Sequence, residues 1–164
     1  MIKKTSLGLC ILLGSIYCFG QSDDSLTTKE IGYRDSIALV NAENERTAES
    51  QEAYNDGIKL FEEKKYKESI VKFNVAIKSD SLFQFAFYNK GVAQVEIEDY
   101  PNAILTFTVL IGLNDEHEMA YFNRALAYQK SNNLIAAIAD YDQVLFFNPK
   151  NEMALYNSGG AWFL

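Results

Sequence analysis

The chain has 164 residues, of which 48% are hydrophobic, and a formal net charge of −7 at pH 7. This length and composition are typical of one globular domain. The negative charge makes nucleic acid a poor partner, so we expect no nucleic-acid binding.

The first twenty residues are typical of an export signal. Lys3 and Lys4 precede an apolar run over residues 7–19, which is shorter than the about 20 residues that a helix needs to cross a bilayer. Cys18 and Gly20 are small residues at the two positions that a signal peptidase reads. We therefore expect a signal peptide that is cleaved after Gly20.

Cleavage there would give a periplasmic or secreted chain that begins at Gln21 and contains no cysteine. A lipoprotein is the alternative, in which Cys18 is acylated and kept as the first residue. The residue before such a cysteine is normally small, whereas Tyr17 stands there in this sequence. Membrane attachment is therefore expected only if Cys18 is lipidated.

Residues 21–49 are polar and match no later part of the chain. Ile37, Leu39, Val40 and Ala42 are among its few apolar residues, and they favour a short helix that caps the domain C-terminal to it. A loose polar linker is the alternative, because this composition buries little apolar surface.

From about Ser50 onward the sequence repeats with a period of 34 residues. Three kinds of residue recur at this interval: small (Gly57, Gly91, Ala125, Gly159), amide (Asn55, Asn89, Asn123, Asn157) and aromatic (Phe73, Phe107, Tyr141). Apolar residues within each period fall at helical spacings of three, four and seven. Because these three series recur at the same interval, they predict an array of helix pairs, in which each pair buries its apolar face against its neighbours.

The pattern resembles the tetratricopeptide repeat, Trp-x2-Leu-Gly-x2-Tyr followed by Ala-x3-Phe and then Pro. The third unit matches it most fully, at Tyr121, Ala125, Tyr128, Ala137, Tyr141 and Pro149. The leucine of the pattern is replaced in every unit, by Asp56, Lys90, Arg124 and Ser158. The resemblance covers about residues 50–164 and implies an all-α fold, a right-handed superhelical solenoid of antiparallel helix pairs.

We divide the chain into a signal peptide (1–20), the polar segment (21–49), three complete repeats (50–83, 84–117 and 118–151) and the first helix of an incomplete fourth (152–164). The predicted helices of the first two units cover residues 51–63, 66–79, 84–97 and 100–113. Asp99 is expected to cap the last of these, with Pro101 in its first turn. Gly91 and Ala125 are expected where paired helices approach most closely. The final Trp162-Phe163-Leu164 is apolar and uncapped, which predicts a fragment of a longer protein.

Residues that could carry catalysis are few. His117 lies in the run Asp115-Glu116-His117-Glu118, which the register places in the turn between the second and third units, and we interpret it as a solvated turn. The sequence has no His-Glu-x-x-His, no glycine-rich phosphate loop and no Gly-x-Ser-x-Gly. We expect no catalytic residues, no metal and no cofactor.

The resemblance implies that the first helix of each unit lines a concave groove. The asparagine series lies on these helices, where the amides either hold the main chain of a bound peptide or bond an adjacent helix. Residues expected to contact a partner are Tyr54, Asn55, Ile58, Tyr88, Asn89, Val92, Phe122, Asn123, Leu126 and Asn157, and Phe85 and Met119 are expected to share this surface.

These expectations favour a non-catalytic scaffold or adaptor that binds a protein or peptide in the groove. Two alternatives remain: the N-terminal part of a larger envelope enzyme or sensor, and a lipid-anchored scaffold of an envelope assembly. Family members that hold the acidic tails of heat-shock chaperones use a clamp of lysine, asparagine and arginine. Of that clamp only Asn89 is present, so we do not expect such a ligand.

Overall fold

The computed structural model describes residues 28–162. The predicted signal peptide, its cleavage site and Cys18 lie outside the described residues. The chain divides into two units between Ser36 and Ile37, and the first of these contributes only the beginning of one helix to the described part.

Residues 28–162 form seven helices and no strand. The helices are α1 (Thr28–Glu62), α2 (Tyr66–Ser79), α3 (Gln84–Glu96), α4 (Tyr100–Leu113), α5 (Glu118–Lys130), α6 (Leu134–Phe147) and α7 (Glu152–Trp162). From α2 onward, each helix packs against the next in chain order, and α3 also contacts α5. Short turns join them, so consecutive helices run antiparallel. None of these helices combines the length and the apolar character that a membrane span requires.

The first helix is longer than the sequence predicted. A linker or a short capping helix was expected over residues 21–49, whereas α1 runs without interruption from Thr28 to Glu62. The prediction was wrong here because no proline interrupts this stretch, and its many Glu, Ala and Arg residues favour helix. Ile37, Leu39 and Val40 are exposed, so they do not cap the first unit. Residues 35–49 are exposed, which explains their polar composition.

The turn inside each helix pair has the same backbone geometry in all three complete units. Lys64, Glu98 and Asn132, which are 34 residues apart, adopt left-handed φ values of 58°, 61° and 61°. In the second unit the N–H of Asp99 donates to the carbonyl of Gln94 at 2.8 Å, which closes the turn as in a Schellman motif. Glycine is the usual residue at this position, and a residue with a Cβ costs about 1 kcal/mol there.

The helix starts use different caps. α4 begins directly after Asp99 as predicted, with Pro101 in its first turn. The Asp99 carboxylate accepts hydrogen bonds from Asn102 Nδ2, at 2.8 and 3.0 Å, and makes no side-chain bond to the helix backbone. At the start of α5, His117 Nδ1 accepts from the backbone N–H of Ala120 at 3.2 Å. His117 therefore lies in the predicted turn but is half-buried and serves as a helix cap.

Small residues mark the points where paired helices cross, as the sequence predicted. A Cβ atom added to Gly57 would lie 2.5 Å from the Phe73 ring, and one added to Gly91 would lie 2.6 Å from the Phe107 ring. Ala125 is completely buried at the equivalent position of the third unit. In the first two units the aromatic ring of the second helix thus occupies the space left by the missing side chain of a glycine on the first.

Charged residues at the leucine position of the pattern bond to the second helix of the same unit. In the first unit Asp56 accepts from Lys72 Nζ at 2.8 Å, on a half-exposed surface. In the third unit Arg124 donates twice to the Asp140 carboxylate, from Nε and from a terminal nitrogen, both at 2.7 Å. This second pair is nearly buried, with side-chain exposures of 15% and 8%. The sign of the charge is reversed between the two units.

The second unit has no such ion pair among its described residues. Lys90 stands at the leucine position, and Thr106 at the position opposite donates its hydroxyl to Gln94 Oε1 at 2.7 Å. Burial lowers the pKa of Lys90, since the half-buried ammonium group has no acid to compensate its lost hydration.

Candidate functional site

One face of the first helices carries an exposed apolar side chain followed, one helical turn later, by an asparagine. The apolar residues are Phe85, Met119 and Met153, which are 68%, 46% and 62% exposed. The asparagines four residues after them, on the same helix face, are Asn89, Asn123 and Asn157. In α1 the equivalent residues are Gln51 and Asn55. Phe85 and Met119 were expected on this surface; Met153 was overlooked, although its place four residues before Asn157 indicated it.

The amide of Asn89 bridges two helices. Its Nδ2 donates to the Phe85 carbonyl at 2.9 Å, within α3, and to the Tyr54 hydroxyl of α1 at 3.1 Å. A backbone carbonyl can only accept, so the NH₂ group must face it and the Oδ1 atom must point elsewhere. Of the two roles left open by the sequence, bonding to an adjacent helix is therefore present.

Asn123 repeats this arrangement one unit later. Its Nδ2 donates to the Met119 carbonyl at 2.8 Å and to the Tyr88 hydroxyl at 3.4 Å. The structure thus brings together two Tyr–Asn pairs, Tyr54–Asn89 and Tyr88–Asn123, each linking the first helices of neighbouring units.

The two outer asparagines differ. Asn55 Oδ1 accepts from Gln51 Nε2 at 3.0 Å on the exposed face of α1. Asn157 has no hydroxyl to bond, because Phe122 occupies the position held by Tyr54 and Tyr88 in the preceding units. Within residues 28–162 the Asn157 side chain forms no hydrogen bond.

Most of the aromatic and aliphatic residues predicted to contact a partner also support the fold. Tyr88 and Val92 pack on the core around Phe107, and Phe122 and Leu126 pack on the core around Tyr141. Tyr54 lies 5.0 Å from Phe83 between ring centroids, and Tyr88 stacks on His117 at 5.6 Å. Ile58 is half-buried. These rings therefore hold their hydroxyl groups in fixed positions.

The hydroxyl group of Tyr54 is protonated at neutral pH. Burial raises the pKa of Tyr54, and the hydrogen bond from Asn89 opposes this effect without cancelling it. Charged side chains on this face are few, namely Glu62, Glu96 and Lys130 at the ends of the first helices, and all three are exposed. Within residues 28–162, no three His, Cys, Asp or Glu side chains come close enough to hold a metal ion.

The arrangement of helix pairs is shared with solved structures of repeat proteins. The TPR domain of Arabidopsis OM64 superposes with a TM-score of 0.69 at 19% identity, over 72% of this chain and 98% of that one. The chain has the tetratricopeptide-repeat fold. The predicted all-α solenoid of antiparallel helix pairs is thus confirmed.

Two further tetratricopeptide-repeat structures contain bound peptides. The first TPR of Spaghetti (RPAP3), bound to the HSP90 peptide SRMEEVD, has a TM-score of 0.69 at 22% identity, over 71% of this chain and 93% of that one. The second TPR domain of human RPAP3, in complex with the HSP70 peptide SGPTIEEVD, has a TM-score of 0.66 at 22% identity, over 73% and 98%. No protein-family model and no curated protein sequence matches the chain.

Proposed function

We propose that this tetratricopeptide array is a non-catalytic interaction module, a scaffold or adaptor, that binds a protein segment or peptide along its first helices. The observation that carries the proposal is the line of exposed Phe85, Met119 and Met153 beside the asparagine series. Three successive units present the same combination, so the surface extends along the array. Burial of such side chains supplies most of the affinity of a peptide groove, and polar groups fix the ligand's direction.

The chemistry of the surface favours a neutral, apolar segment. The peptides SRMEEVD and SGPTIEEVD of the two similar structures are acidic. Here the exposed charges at the helix ends include Glu62 and Glu96, and the lysine and arginine of the clamp are missing. Two carboxylates would repel an acidic tail, whereas an apolar segment would cover Phe85 and Met119. We further propose that the mature protein begins at Gln21 and acts in the periplasm or outside the cell.

A library selection tests the groove. Twelve-residue peptides displayed on phage would be selected on the mature chain, and the enriched sequences measured by fluorescence polarisation. In the test variant, Phe85→Ser and Met119→Ser are combined. The matched control combines Val71→Ser and Leu105→Ser, which change equally exposed apolar residues on the second helices.

Removing the two groove side chains should weaken binding about tenfold or more, because each buried side chain of this size contributes about 1–2 kcal/mol when it is already partly covered. The control should bind as the wild type does. Affinity should change little with salt, since few ion pairs form. Equal binding by the test variant and the wild type would contradict the proposal.

A further inference from the structure

Lys90 lies in a furrow between two second helices. Arg124, one repeat later, contacts both of its neighbours, since it donates to Thr108 of α4 at 3.0 Å and to Asp140 of α6 at 2.7 Å. The 34-residue repeat puts Lys90 of α3 at the same place between α2 and α4, and α3 packs against both of these helices. The half-buried Lys90 therefore forms part of the floor of this furrow.

The charge of Lys90 is not balanced within the furrow. The second unit supplies Thr106 at the position opposite, and its hydroxyl is bonded to Gln94. α4 contains no charged residue, and α2 contains three lysines and one glutamate. Within residues 28–162 no acid forms an ion pair with Lys90. A carboxylate from a second molecule would supply the missing negative charge.

The α4 wall of the furrow is apolar and exposed. Val109 follows Thr106 by three residues and Leu105 precedes Val109 by four, so both lie on the side of α4 that borders the furrow. Leu105 is 63% exposed and Val109 is 48% exposed. In the third unit, whose charge is paired, Ala139 and Gln143 stand at these positions. The large apolar side chains and the unpaired ammonium group thus occur together in the second unit.

An exposed stretch of α1 has the complementary character. Residues 37–49 are exposed and contain three glutamates and one arginine. Leu39 and Val40 are 72% and 56% exposed. Glu43 follows them by four and three residues, so the three side chains share one helix face. This face carries a carboxylate beside two apolar groups, whereas the furrow carries an ammonium group beside two apolar groups.

The face of α1 that carries Glu43 is open to a second molecule. A cleft separates it from the turn after α2, and Arg46, Asp80 and Leu82 also line this cleft. Within residues 28–162 Glu43 forms no ion pair. Because residues 37–49 are already helical, their backbone need not be ordered on docking, which lowers the entropic cost of association.

We propose that the chain forms a dimer in which residues 37–49 of each copy pack into the furrow between α2 and α4 of the other, with Glu43 of one copy paired with Lys90 of the second. The apolar groups of the two faces cover one another in this contact. Because every copy has both surfaces, two equal contacts close a two-fold dimer. The contact leaves the first-helix groove free, so this inference does not depend on the proposed function.

Sedimentation equilibrium of the mature chain tests the inference. The wild type should have twice the monomer mass. Lys90→Leu should raise the dissociation constant about tenfold or more, because Glu43 is then left without a partner in the contact. Leu105→Ser/Val109→Ser should weaken association by a similar factor. Circular dichroism of each variant should show unchanged helicity, which separates loss of the contact from loss of the fold.

A charge exchange identifies the paired residues. Lys90→Glu and Glu43→Lys should each weaken association about tenfold or more, because like charges then meet, and the double variant should restore the dimer. Glu45→Lys is the matched control, since it makes the same change of charge on an exposed residue about 200° around the helix from Glu43. It should change the dissociation constant by no more than about twofold.

Three results would overturn the proposal. The first is a wild-type chain that stays monomeric at about 1 mM. The second is a dimer that neither Lys90→Glu nor Glu43→Lys weakens, because association would then use another surface. The third is a dimer that both single variants weaken and the double variant does not restore.

Discussion

Replacing Gly91 with alanine tests the packing that holds each helix pair together. The new Cβ atom would lie 2.6 Å from both Cε1 and Cζ of Phe107, whereas nonbonded carbons prefer about 3.5–4.0 Å. Phe107 is completely buried, so its ring cannot turn out into solvent without disturbing its neighbours. The helix or the ring must shift by about 1 Å, and overpacking of this kind costs about 1–3 kcal/mol.

Alanine also favours helix over glycine by about 1 kcal/mol, which partly offsets the clash. A matched control removes this term. Gly112 lies in α4 with negative φ, and an added Cβ there meets nothing within 4 Å. Gly112→Ala should gain up to about 1 kcal/mol because the helical backbone loses less entropy. The two variants should therefore differ by about 1–3 kcal/mol in free energy of unfolding.

Urea denaturation followed by circular dichroism gives this difference. The double variant Gly91→Ala/Phe107→Leu should recover part of the loss, because the shorter side chain vacates the ring's space. If Gly91→Ala were as stable as Gly112→Ala, the close approach of α3 and Phe107 would not limit packing and the reasoning would fail.

Further substitutions test the charges and turns, and one mass measurement tests export. Lys90→Leu should raise the free energy of unfolding by about 1 kcal/mol, since it replaces a half-buried, unpaired ammonium group with apolar surface. Arg124→Leu should lower the free energy of unfolding by about 3–5 kcal/mol in the same assay, because Asp140 is left buried without a partner. Equal effects of Lys90→Leu and Arg124→Leu would contradict the ion-pair assignment. Glu98→Gly should stabilise by about 1 kcal/mol by relieving a left-handed backbone, and a lower melting temperature would argue against that turn. Intact-mass analysis of the exported protein should show Gln21 as the first residue, and a cytosolic chain that retains Met1 would refute export.

The period of the sequence predicted the helices well because each unit must bury the same face. The starts of α2, α3 and α4 agree with the prediction, and so does the crossing at Gly91. The length of α1 was not predicted, because the 34-residue period marks only the residues that pack against neighbouring helices. The exposed part of α1, residues 35–49, leaves no periodic signal.

The hydrogen bonds between the candidate site residues were not predicted. Tyr54 and Asn89 lie 35 residues apart, and only the stacking of one unit on the next brings them together. A signal was present, since the dipeptide Tyr-Asn recurs with the repeat and places each tyrosine beside the asparagine that comes one period later. The partners of Arg124 had a signal too, as an opposite charge sixteen residues later, at Asp140.

The reversed ion pairs have a consequence for how the chain finds its native pairing. Similar helices in tandem offer many near-equivalent partners during folding. If α5 paired with α2, Arg124 would face Lys72, and if α1 paired with α6, Asp56 would face Asp140. Both mismatches bring like charges together. This repulsion disfavours pairing of either first helix with the second helix of the other unit. A chimera that exchanges α2 and α6 alone should misassemble, and one that also exchanges Asp56 and Arg124 should fold.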